Sequence, residues 1–157
     1  MIPTPHRPIH LVSVHRSYAG LILAGTKAQE IRLSKARRVP YGLVEPGDRL
    51  YFKVVSGPVV ATCLAEGVES HDGLTPERVL ALGRAHGDAL CAPESYFQAK
   101  QKSLYATIVR LGPVEPVGRG PPTDRVLHGS VRDAWRVLPG TAEVYPSCLA
   151  NALEGFG

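Results

Sequence analysis

Three charged side chains stand close together near the start of the chain, in Gly25-Thr26-Lys27-Ala28-Gln29-Glu30-Ile31-Arg32. A lysine ammonium is a compact charge with three donors that holds a phosphate, or serves as a base once burial and neighbouring cations lower its pKa. An arginine guanidinium is a rigid fork suited to phosphate or to a base edge. A glutamate accepts from an exocyclic amine, or orients the lysine. The local pattern turns from helical to extended at Gly25, so Glu30 and Arg32 fall at strand spacing on one face, with Ile31 and Leu33 on the other. Such a group is either a polar recognition or reaction centre or a solvated ion pair at a strand edge, worth about 0–1 kcal/mol.

Further candidates lie along the chain. Tyr96, Lys100, Lys102 and Ser103 gather at a short helix and the start of a strand. An aromatic ring beside lysines can stack on a base and grip its phosphate, and it is equally the pattern of an amphipathic helix with its rings in the core. His15, Arg16 and Ser17 open the first helix, with Ser17 either a plain N-cap or part of an anion site. Arg37 and Arg38 can reach a nucleic-acid backbone or simply keep a loop soluble. The six histidines are scattered, so no metal site and no cofactor is expected.

Composition narrows the partners. The chain has 157 residues, 44% of them hydrophobic, and a net charge of +4. Residues 1–53 hold nine Lys and Arg side chains against three acids. This polarised charge suits a surface that meets phosphates, or a solvated basic face. No apolar run reaches the ~18 residues of a membrane span, and no signal-peptide pattern is visible, which suggests a soluble cytoplasmic protein without a membrane partner. Cys63, Cys91 and Cys148 are odd in number and lack CxxC spacing, as expected of free thiols.

The elements that must position these groups follow from pattern. Residues 9–14 read as a strand, and Ser17 caps a helix over 18–24 that ends at Gly25. Residues 28–33 are a second strand, followed by a basic loop that closes on Glu45-Pro46-Gly47-Asp48. Strands over 49–55 and 59–66 form a hairpin around Ser56-Gly57-Pro58. Thr75-Pro76-Glu77 opens a helix that runs to about His86 and stops at Gly87. A second helix starts near Pro93-Glu94, and 103–111 is the last clear strand. Residues 1–112 then form one domain. Residues 113–157 form a Pro/Gly-rich tether and a helical extension that packs on it: Ser130 to Asp133 has capping-box spacing before a short helix with Trp135, and Ser147 caps a final helix through Leu153. The extension is a candidate contact for a protein partner. The fold class is α+β, a small mixed β-barrel of about five to six strands with flanking helices and a C-terminal helical extension.

The order of these elements resembles the ASCH domain, a branch of the PUA-like superfamily. Its signature is similar to G-x-K-x-x-E-x-R, which stands here as Gly25, Lys27, Glu30 and Arg32, and Pro46-Gly47-Asp48 fits the turn before a strand. The resemblance covers roughly residues 8–112. It implies a PUA-like barrel with a cleft beside the helix after the first strand, binding RNA or a nucleotide-like small molecule. One group of the family hydrolyses the amide of N4-acetylcytidine with the motif lysine, a threonine and a glutamate. Another is similar to ribonucleases, pairing the lysine with a serine much later in the chain. Lys27 matches the lysine of both. The threonine position is Glu30 here, and a carboxylate does not replace a hydroxyl nucleophile without a changed mechanism. Ser103 lies where the ribonuclease-like members have their serine. If the chain is an enzyme, the resemblance implies a hydrolase with Lys27, Glu30 and Ser103 as its catalytic candidates.

Overall fold

The computed structural model describes residues 6–124, 126–130 and 132–140. In chain order these are β1 (Ile9–Val14), α1 (Arg16–Leu23), β2 (Gln29–Ser34), β3 (Arg49–Val54), β4 (Val59–His71), α2 (Pro76–Leu90), α3 (Glu94–Ala99), β5 (Tyr105–Leu111), β6 (Glu115–Pro116) and β7 (Trp135–Leu138). The strands form one mixed sheet in the order β2-β5-β4-β3-β1-β7, with β6 added beside β4. β1 and β3 run parallel, and every other pairing is antiparallel. The result is a small α+β half-barrel.

β4 makes the curvature. Its first half pairs with β3 and its second half with β5, and the register shifts between Ala65 and Gly67. A bulge there bends the strand and increases its twist, so one long strand serves both halves of the sheet. The expected end near residue 66 fell at this bulge. The strand in fact continues to His71, because its second half keeps pairing with β5 although its residues are polar and partly exposed.

Two apolar layers fix the site. Val12, Ile22, Leu50, Phe52, Val109 and Trp135 fill the inside of the sheet. Ile31, Leu33, Val79, Leu90, Phe97 and Ile108 join β2 and β5 to α2 and α3. β2 contributes apolar side chains to the second layer and its charged residues to the other face, which is the alternation its sequence predicts. Full burial of each large side chain stabilises the fold by about 1.5–3 kcal/mol.

Several boundaries differ from expectation. α1 begins at Arg16 with His15 at its N-cap, so Ser17 lies inside the first turn and does not cap the helix. α2 starts as predicted, with the Thr75 hydroxyl accepting from Arg78 N, but it passes Gly87 and ends at Leu90. Leu90 is fully buried, and that anchorage outweighs the roughly 1 kcal/mol cost of an interior glycine. β5 begins at Tyr105, leaving Ser103 in the turn before it. It is not the last strand. The helix expected around Trp135 is the strand β7, paired antiparallel with β1. The capping-box residues do form a turn: Asp133 Oδ2 accepts from Ser130 N, and Asp133 N donates to Ser130 O. The chain then extends, because Trp135 and Val137 bury themselves in the sheet. The helix expected from Ser147 lies outside the described residues. Among the described residues no helix is long and apolar enough to cross a membrane, and no cluster of potential metal ligands occurs.

Candidate functional site

The turn after α1 places the lysine. Gly25 has φ +78°, a left-handed conformation that glycine adopts without strain, and Thr26 N and Lys27 N both donate to Leu21 O. Lys27 is thereby directed under α2 and is almost fully buried. Its Nζ donates to Leu90 O at 2.5 Å and lies 5.0 Å from the centre of the Tyr18 ring. Ala28 N donates to Ala89 O, so two of the last carbonyls of α2 are satisfied from the β2 side. An ammonium at a helix C-terminus is favoured by the helix dipole. Burial acts against the charge and is the larger effect, so the Lys27 pKa is lowered, with Glu30 and Cys91 opposing and Arg32 adding to the shift.

Glu30 and Arg32 follow on one face of β2. Glu30 Oε1 accepts from Ile31 N at 3.1 Å and stands 3.9 Å from Arg32 Nε, an ion-pair distance too long for a hydrogen bond. Arg32 Nη2 donates to Ser13 O at 3.1 Å. Glu30 Oε2 and Arg32 Nε are both buried and have no hydrogen-bond partner among the described residues. A buried charged atom left without a partner is costly, and such atoms are uncommon.

Behind Arg32 runs a buried polar chain. The Arg32 guanidinium lies 5.5 Å from the centre of the Trp135 ring, and Trp135 Nε1 donates to His10 Nδ1 at 2.9 Å. An indole N–H only donates, so His10 Nδ1 is the acceptor and the ring proton sits on Nε2, which donates to Asp48 Oδ2 at 2.9 Å. Asp48 also accepts from Glu45 N and from Arg7 Nε. Burial lowers the His10 pKa, with Asp48 opposing, which agrees with a neutral ring.

The three motif residues open onto a cleft of about 500 Å³, whose wall also includes Tyr18, Tyr96 and Lys100. Lys27, Glu30, Arg32, Tyr96 and Lys100 therefore line one cleft. Phe97, beside Tyr96, is in the core instead. Burial raises the Tyr96 pKa, so its hydroxyl stays protonated and available as a donor. Ser17 is exposed on α1 and does not line the cleft. Arg37 and Arg38 line a neighbouring hollow across Arg32. Lys102 and Ser103 line a third hollow, which Lys100 shares.

Sequence reasoning missed Tyr18, Ser13 and the His10–Trp135 pair. Tyr18 was visible only as part of an apolar helix face. His10 did leave a signal, as a lone polar residue inside the apolar run Ile9 to Val12, where a satisfied buried histidine is the ordinary explanation.

No family model matches the sequence, and neither does any curated protein. Solved structures do match. A serine-to-alanine variant of the ASCH protein of Zymomonas mobilis aligns with a TM-score of 0.58 at 21% identity, covering 73% of this chain and 75% of that one. A tyrosine-to-phenylalanine variant of the same protein gives 0.56 at 21% identity, covering 73% and 76%. The unsubstituted Zymomonas mobilis protein gives 0.55 at 19% identity, covering 73% and 82%. With the half-barrel and the position of its cleft described, the chain shares the fold of the Zymomonas mobilis ASCH protein.

Proposed function

We propose that this chain is an ASCH-type domain whose cleft receives one nucleobase, presented by RNA or by a free, including modified, nucleotide. The observation that carries this reading is that Glu30 and Arg32, each with a buried polar atom lacking a hydrogen-bond partner, line a cleft large enough for a base. The carboxylate oxygen accepts from an exocyclic amine, and the guanidinium N–H donates to a ring nitrogen or carbonyl. A base carrying an amine beside an acceptor, such as cytosine or adenine, satisfies both. Tyr18 and Tyr96 supply aromatic surface, and Lys100 a cation for phosphate. The sequence motif and the shared fold support the same reading.

Calorimetric titration with the four ribonucleoside monophosphates, N4-acetylcytidine and short single-stranded RNA tests it. At least one ligand binds the native protein, and Glu30→Gln weakens that binding about tenfold or more, since it removes a charged hydrogen bond worth roughly 1.5–3 kcal/mol without changing shape. Absence of binding by all of them at millimolar concentration and low salt overturns the proposal.

One observation favours a second reading, a hydrolase acting on an acylated nucleoside or on RNA. A lysine with a lowered pKa beside a carboxylate is suited to proton transfer or to stabilising developing negative charge. Incubation with N4-acetylcytidine and with labelled RNA, followed by chromatography, separates the two. Turnover that disappears in Lys27→Met supports the hydrolase, and unchanged substrates at high protein concentration leave binding alone.

A further inference from the structure

A second hollow, of about 480 Å³, lies on the other side of Arg32. The two hollows share Arg32, Leu33 and Ala134 as a common wall. The second has its own flat surfaces. The Arg37 guanidinium stands 5.7 Å from the centre of the Tyr41 ring and 5.6 Å from that of Tyr105, and the two rings meet edge to face at 5.2 Å. Trp135 forms another part of the lining. Guanidinium planes and aromatic rings are the surfaces on which unpaired bases stack.

The third hollow lies beside both. It shares Leu33 and Lys100 with the cleft, and Leu33, Ser34 and Arg38 with the second hollow, so all three meet at the end of β2. Lys35, Arg38, Lys100 and Lys102 line it, and no acid does. Across the three hollows the acids are Glu30 and Asp133, and Asp133 already accepts from Ser130 N. A free mononucleotide fills one hollow. Two base-sized hollows either side of one guanidinium, beside a cationic third, suit two linked nucleotides and the phosphate between them.

We propose that the cleft is one of two base subsites on a path for a single-stranded polynucleotide, with the second subsite on the Arg37–Tyr41–Tyr105 platform and the linking phosphates in the basic hollow at the end of β2. This rests on the nucleotide reading of the cleft and extends it from one nucleotide to at least two. An acidic peptide would also satisfy the cations, but it has no use for the stacked guanidinium and rings.

The test compares affinity for mononucleotides with affinity for the matching hexamers r(U)6, r(C)6 and r(A)6, in the native protein, Arg37→Ala and Tyr41→Ala, with d(U)6 as the arm that separates DNA from RNA. Arg37 is exposed, so its removal leaves the fold intact, and thermal melting checks both variants. For at least one base the native hexamer-to-mononucleotide affinity ratio is expected to be about tenfold or more, since stacking of one further base is worth roughly 1–3 kcal/mol. Arg37→Ala brings that ratio close to one. The proposal is overturned if the native ratio is already near one, if Arg37→Ala leaves it unchanged, or if poly-L-glutamate of matched charge displaces the hexamer at equal concentration. Mononucleotide binding without a hexamer gain removes only the second subsite, whereas no binding by either class removes the nucleotide reading as well.

Discussion

Lys27 concentrates the chemistry of the site in one side chain. It is buried, bonded to a helix-terminal carbonyl and surrounded by Tyr18, Glu30 and Arg32. Burial lowers its pKa, so a rising pH discharges it earlier than an exposed lysine. A ligand that brings negative charge favours the protonated form, so the protein takes up a proton on binding, and affinity falls as pH rises through the lowered pKa. Titration in buffers of different ionisation enthalpy reads this uptake directly. The buffer dependence disappears in Lys27→Met, whose apolar chain follows the same buried path without a charge. Trp135 makes a different residue-scale prediction. Trp135→Phe keeps a ring beside Arg32 but leaves His10 Nδ1 buried without its donor, a loss of about 1–3 kcal/mol read by urea denaturation. An unchanged midpoint would show that the buried bond carries no net stability.

Among the elements, α2 and its seat against α3 matter most. The last turn of α2 carries the Leu90 carbonyl that receives Lys27, and Leu90 and Phe97 sit in one apolar layer. Gly83 lets the two helices close, since a Cβ there would stand 2.7 Å from the Phe97 ring. Gly83→Ala therefore forces Phe97 aside and costs about 1–3 kcal/mol, although alanine is the better helix former. The thermal midpoint checks the sign: a rise would mean that propensity outweighs packing. The same argument explains the α2 boundary. Gly87 is a legitimate stop in sequence, but the burial of Leu90 three residues later is a tertiary fact, and so is the meeting of that turn with Lys27.

For the whole molecule, β7 ties a late segment to the earliest strand and carries Trp135 into contact with both His10 and Arg32. The chain of contacts from exposed Arg7 through the buried Asp48, His10 and Trp135 thus reaches Arg32 in the wall of the cleft. His10 titrates in this setting. Its folded pKa lies below the ordinary value of about 6.5, so in the interval between the two the unfolded chain binds a proton that the folded chain does not. Stability on this account is complete above about pH 6.5 and declines as pH falls from there toward the folded value. Denaturation midpoints measured from pH 7.5 to 5 check this, and replacing His10 with Gln flattens that part of the profile.

By itself the sequence determined the local geometry of the motif. A glycine after an apolar helix sets the left-handed turn, and alternation on β2 puts Glu30 and Arg32 on one face with Ile31 and Leu33 on the other. Those are effects of neighbouring residues, and period and turn chemistry express them directly. The resemblance to ASCH domains was legible for the same reason, since its motif is eight consecutive residues. Only the tertiary structure decided what stands opposite them. Trp135, 108 residues after Lys27, has capping-box spacing just before it and reads as helical until β1 offers it an edge. Ser103 is close to Lys100 in sequence, yet of the two only Lys100 also lines the cleft. Tyr41 and Tyr105 meet across 64 residues. Pairing with a distant strand releases more free energy than local propensity can oppose, and such pairings leave no periodic trace in the chain.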